Sequence, residues 1–220
     1  MVGNMEIFKI ILINDLKQNF KNRIFFLINF LYFLIFFSII QILSVKISSS
    51  HLVDITLISV TLSLLISILA NCNDFLRRDF LDGTLEQLLV NFNQPELIFI
   101  AKICSSWIKS SLIISIFSSF YIYFNSIINI NFFTILIIFL ILSFGLTCLI
   151  SFSALVAIEN GLALVGIIIA LPLSIPLILI SQASILDDFY GNIFTLLAVT
   201  FISLVTTSIA GGKLIRIINQ

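Results

Sequence analysis

Residues 71–96 read NCNDFLRRDFLDGTLEQLLVNFNQPE and interrupt a chain that is otherwise nearly all hydrocarbon. Asp74, Arg77, Arg78, Asp79, Asp82, Glu86 and Glu96 gather here, in a chain with only 11 basic and 11 acidic side chains. Each charge held at the centre of a bilayer costs about 2.5–3.5 kcal/mol even on a lenient insertion scale. The stretch therefore lies outside hydrocarbon and separates two groups of apolar helices.

Working outward, the composition excludes a soluble domain. The 220 residues are 60% hydrophobic and 10% charged, with a mean hydropathy of +1.22, which is the profile of a polytopic membrane protein. Formal net charge is zero, so only the placement of charge is informative, and it indicates no nucleic acid partner. Cys72, Cys104 and Cys148 are widely spaced and form no CxxC pair. They read as reduced or membrane-buried thiols, with neither a disulfide framework nor a metal site.

Apolar residues at Ile7, Phe8, Ile11, Leu12, Leu16 and Phe20 recur at helical spacing, with Lys9, Asp15 and Lys17 elsewhere around the wheel. That pattern predicts an interfacial helix over 5–20. Charges from Glu6 to Arg23, with no small-residue cleavage site, predict that the first span is retained. Six transmembrane spans follow, at about 24–45, 52–70, 110–128, 132–158, 162–180 and 193–210. Lys102, Trp107 and Lys109 suit the interface before the third span, and Gly211-Gly212 is expected to close the sixth. Pro172 and Pro176, on one face of the fifth span, predict a bend whose freed carbonyls neighbouring helices satisfy. With the N-terminus inside, ten of the Lys and Arg residues are cytoplasmic and Lys46 alone is outside. The positive-inside rule thus places both termini and the charged segment in the cytoplasm. The expected fold is an all-α integral membrane domain over 1–220, a six-helix bundle with a cytoplasmic helix-turn-helix between spans 2 and 3.

Within the charged segment, Phe75, Leu76, Phe80 and Leu81 fall on one side of a first short helix, and Arg77, Arg78 and Asp79 on the other. Asp82-Gly83 offers a stop, since glycine takes the left-handed position at no steric cost. Thr84-Leu85-Glu86-Gln87 reads as a capping box, opening a second helix that ends before Pro95 starts the next. One reading is a solvated loop resting on headgroups. The sharper one is a docking element, with an apolar side anchored in the membrane domain and mixed charges meeting a soluble protein. The chain has no GxxxxGK[ST], HExxH or GxSxG motif and no visible nucleophile and base, so no catalytic residue is assigned. Energy for any transport has to come from another subunit.

The run FLRRDFLDGTLEQLLV resembles the signature of the cytochrome c-type biogenesis protein CcmB family, the heme exporter protein B family. AKICSSWIKSSL and LPLSIPLIL fit the same pattern. The resemblance implies a permease subunit of an ATP-binding-cassette complex in the bacterial inner membrane, or the mitochondrial inner membrane that inherited the system. It also implies a separate ATPase subunit that binds ATP, a heme-handling membrane partner and a heme chaperone, with heme as the ligand handled. On it, Arg77, Arg78, Asp79, Asp82, Gly83, Glu86 and Gln87 are the expected ATPase-docking residues. A non-transporting scaffold and a permease for another lipophilic substrate are the competing functions. His51, the single histidine, stands at the outer end of the second span where a heme ligand would be useful, although a solvated loop side chain is the simpler account. Glu159 ends the fourth span, with ATPase contact the lesser reading. Asp187 and Asp188 solvate an outer loop.

Overall fold

The computed structural model describes residues 4–21, 23–44, 52–70, 76–124, 131–160, 163–186 and 189–218, and these are helical with no strand among them. The helices are α1 (Asn4–Lys21), α2 (Arg23–Ser44), α3 (Leu52–Leu69), α4 (Arg77–Leu81), α5 (Thr84–Phe92), α6 (Pro95–Ser106), α7 (Leu112–Phe124), α8 (Phe132–Asn160), α9 (Ala163–Leu186) and α10 (Phe189–Ile218). A π-helical turn, Trp107–Ser111, joins α6 to α7. His51, Asp74, Asp187 and Asp188 lie outside the described residues, as do the side chains of Arg78 and Glu159.

Four helical stretches are long and apolar enough to cross a membrane: Pro95–Phe124, Phe132–Ile158, Leu164–Leu186 and Gly191–Ile218. Leu27–Ile42 and Val53–Leu69 are shorter apolar helices. The third expected span, from about residue 110, is thus only the second half of a 30-residue helix. At 1.5 Å per residue that helix is about 45 Å long, against a hydrocarbon core of about 30 Å. The helix is thus longer than the core is thick, and its charged residues Glu96, Lys102 and Lys109 fall in its first half.

In the main apolar core, Ile135, Ile138, Phe139, Leu142 and Leu146 of α8 are fully buried against α3, α7, α9 and α10. Small residues set the close approaches. A Cβ on Gly145 would lie 2.7 Å from Thr200 Cγ2, so α8 and α10 cross nearly backbone to backbone there. Antiparallel α2 and α3 are joined where Gln41 Nε2 donates to Ser59 Oγ at 3.2 Å and Ser67 Oγ donates to Asn29 O at 2.9 Å.

One expectation about a helix end is corrected. Helix α10 continues through Gly211 and Gly212 to Ile218. Added Cβ atoms would come within 2.6 Å of the Phe99 ring at Gly211 and 2.8 Å of Glu96 Cγ at Gly212. The pair serves close packing on α6, which offsets the cost of about 1 kcal/mol for each glycine inside a helix. Helix α9 is continuous through Pro172 and Pro176, and both rings lie on its exposed side.

Gly211→Val is expected to lower stability by about 1–3 kcal/mol through overpacking against the fully buried Phe99. Ala198→Val, on the exposed side of the same helix, is expected to be near neutral. Thermal unfolding in detergent compares the two.

Candidate functional site: the two-helix elbow and its ionic anchor

Helices α4 and α5 form an elbow whose joint is Gly83, at φ 68°, the left-handed geometry expected of Asp82-Gly83. Asn93, at φ 45°, closes α5 with its N–H donating to Leu89 O at 2.8 Å, and Pro95 then opens α6. Leu76 also adopts a left-handed φ of 58°, and its carbonyl accepts the Phe80 N–H at 2.9 Å. That backbone is strained for a leucine by about 1–3 kcal/mol. Burial of the Leu76 side chain beside Leu85, Phe99, Ile103, Leu155 and Ile215 holds it in place.

The elbow is therefore seated on protein. Leu76 and Leu85 pack on α6, the last turns of α8 and the C-terminal turns of α10. On its other side, Leu88, Leu89 and Phe92 of α5 meet Ile7 and Ile11 of α1, together with Ile98 and Ala101 of α6. The N-terminal helix, the elbow and the end of α10 share one end of the bundle. Phe80 and Leu81 depart from the expected apolar side, being 37% and 71% exposed. Phe75 is outside the described residues.

The centre of this assembly is Lys102 of α6. Its Nζ donates to Asp15 Oδ1 of α1 and to Asp79 Oδ2 of α4, both at 2.8 Å. The side chains are 7%, 10% and 25% exposed, respectively. Lys102 is thus an interior cation, where an interfacial side chain reaching toward headgroups was expected. Two hydroxyls complete the network. Thr84 Oγ1 lies 3.0 Å from Asp79 O and 3.2 Å from Asp79 Oδ1. Ser105 Oγ donates to Lys102 O at 2.9 Å and lies 3.4 Å from Asp15 Oδ2. No side chain caps α5, so Thr84 anchors the Asp79 carboxylate in place of the expected capping box. Trp107, expected as an interfacial anchor, donates through Nε1 to Ser143 Oγ at 3.0 Å and meets Phe144 edge-on. It ties the π-turn to α8.

Of the sequence-predicted docking residues, Arg77, Asp82, Glu86 and Gln87 are exposed, Gly83 forms the joint and Asp79 turns inward to Lys102. Asp15 and Lys102 were not singled out as partners. Asp15, expected away from the apolar side of α1, instead continues the buried row of Ile7 and Ile11, and its partner Lys102 is 87 residues away in the chain. Among the described residues no three His, Cys, Asp or Glu side chains cluster as a metal site.

Helix lengths and apolar faces define a multi-pass helical membrane protein with a charged elbow seated at one end of its bundle. The CcmB protein family model matches residues 5–218, and the chain belongs to the CcmB family. The family is that of a heme exporter membrane subunit of the cytochrome c maturation system, a multi-pass inner membrane protein that works with other membrane components and is not itself a catalytic enzyme. No curated protein matches the chain.

One ammonium serves two carboxylates, leaving a net negative charge. Burial accordingly pushes the Asp15 carboxyl above the usual carboxylate range, against the opposing pull of Lys102. A raised folded-state value means that the folded protein binds this proton more readily than the unfolded chain, so the penalty of ionised Asp15 disappears as pH falls toward about 4. Asp15→Asn is expected to be neutral or stabilising at pH 7.5, with its difference from wild type narrowing by pH 4.5. Lys102→Met, which strands two acids, is expected to cost about 3–5 kcal/mol. Unfolding followed by Trp107 fluorescence at both pH values checks the opposite signs.

Proposed function

We propose that this chain is the permease-type subunit of an ATP-driven complex in cytochrome c maturation, with ATP hydrolysed on a separate ATP-binding-cassette subunit. Six helices cross the bilayer: α2, α3, the stretch from α6 to α7, α8, α9 and α10. Both termini and the elbow face the cytoplasm of a bacterial cell. The distribution of Lys and Arg supports this orientation, as does the grouping of α1, the elbow and the end of α10 at one end of the bundle.

The observation that carries the reading is the division of the elbow into two sides. Leu76, Leu85 and Asp79 hold it to the membrane domain. Asp82, Glu86, Gln87, Leu81 and Val90 are exposed, the last two at 71% and 85%. Apolar side chains beside two acids fit a hydrophobic groove with a basic rim on a soluble ATPase. Arg77 adds an exposed cation to the same surface, and Arg78 belongs to the docking set by its place in α4. Motion received here reaches the spanning helices through α6 and α10. On this reading it drives heme export, or release of the heme-loaded chaperone, with a heme-handling membrane partner alongside.

Reversing Asp82 and Glu86 to lysine is expected to reduce co-purification of the ATPase subunit about tenfold or more, while the chain itself stays in the membrane. Undiminished ATPase retention and maturation would sink the docking assignment. Full maturation with a hydrolysis-dead ATPase would assign a scaffold role instead.

A further inference from the structure

Among the described side chains of α4, Arg77, Phe80 and Leu81 are exposed and Asp79 alone turns inward. The polar hold on α4 is therefore the bond to Lys102, set by the Thr84 hydroxyl. The same ammonium holds α1 through Asp15. Lys102 itself sits five residues before Trp107, where the π-turn begins. In that turn the Leu112 N–H reaches back to Trp107 O, a widened register that commonly marks functional sites within a helix. Three elements distant in sequence thus converge on one charge, directly below the irregular turn that leads into α7.

We propose that Lys102 is a positioning residue that makes the elbow, the N-terminal helix and α6 move as one body, so that it sets the coupling between partner and membrane helices without contributing to partner docking. The proposal rests on the reading that the elbow receives a driving subunit. Lys102 is buried and faces inward, whereas Asp82 and Glu86 face outward. Loss of the ammonium leaves the outward surface chemically intact but frees α4 from α1. Asp15 and Asp79 would then face each other uncompensated, and their repulsion would separate the two helices. An arginine can satisfy both carboxylates with its several donors. A fully inverted triad, Asp15→Lys with Lys102→Asp and Asp79→Lys, retains the attraction with opposite signs.

The experiment uses the intact complex in nanodiscs and compares wild type, Lys102→Met, Lys102→Arg and the inverted triad. Spin labels at the exposed positions Ile13 and Phe80, in a cysteine-free background, report the distance between α1 and α4. Lys102→Met is expected to broaden that distance distribution and to lower maturation per ATP hydrolysed about tenfold, within the usual range of coupling between sites. ATPase retention should change less than about twofold, below the usual scale of that coupling. Lys102→Arg and the inverted triad are expected to restore both the narrow distribution and the output. If Lys102→Met fails to fold, the inverted triad decides: a narrow distribution with restored output supports the role, and a narrow distribution without output overturns it. An unchanged distribution in folded Lys102→Met, or normal output from it, also overturns the proposal. Broadening in Lys102→Met together with undisturbed ATPase retention in the Asp82→Lys, Glu86→Lys variant retains the tie between α1 and α4 and refutes only the docking reading.

Discussion

A single ammonium shared by two carboxylates fixes how the extramembrane end of this protein is put together. Asp15, Lys102 and Asp79 come from α1, α6 and α4, helices that are otherwise seated largely by apolar side chains. Apolar packing brings these helices together but leaves their rotation about their own axes loosely defined. An ion pair at 2.8 Å defines it, because a small rotation separates the charges in a medium where they cannot easily be resolvated. The elbow's two sides are set by its apolar seat, with Leu76 and Leu85 inward and Asp82 and Glu86 outward, and within that seat the ion pair ties α4 to α1.

Much of this was legible in the sequence because lipid imposes strong rules. The charge density of 71–96 argues against hydrocarbon for that stretch; Asp82-Gly83 breaks it in two and Pro95 restarts the helix, and the structure reproduces the break and the restart. These are local signals, each depending on one or two neighbours along the chain. The ionic anchor was not legible for the opposite reason. Lys102 and Asp15 are 87 residues apart, and a lysine near a membrane span has the same sequence appearance whether it reaches headgroups or a buried acid. Only the packing of α1 on α6 selects between the two.

The glycines and Thr84 show a second kind of ambiguity. Gly211-Gly212 was expected to stop a helix and instead lets α10 lie against Phe99 and Glu96, because absence of a side chain serves both termination and close approach. Thr84 was expected to cap a helix and instead bonds Asp79, because the joint at Gly83 points its hydroxyl back to the preceding helix. In both cases residue type limits what is possible, and the neighbouring element decides which possibility is realised.

The spans contrast with this rigid end. Their buried hydroxyls largely bond carbonyls of their own helix: Ser63 to Ser59 O, Ser118 to Ile114 O, Ser119 to Ser115 O and Ser153 to Ile150 O. A hydroxyl satisfied in this way makes no directional demand on the next helix, so those interfaces rest on close van der Waals contact between small residues. Among the described residues directional links between helices are fewer, such as Gln41 to Ser59, Ser67 to Asn29 O, Gln182 to Thr61 and Trp107 to Ser143, the last at the π-turn itself. Contacts of this kind tolerate small shifts of one helix along another with little loss of hydrogen bonding. The described residues thus combine an end tied by ion pairs with apolar helices whose buried hydroxyls are largely satisfied within their own helix, so the directional constraints gather at the elbow end.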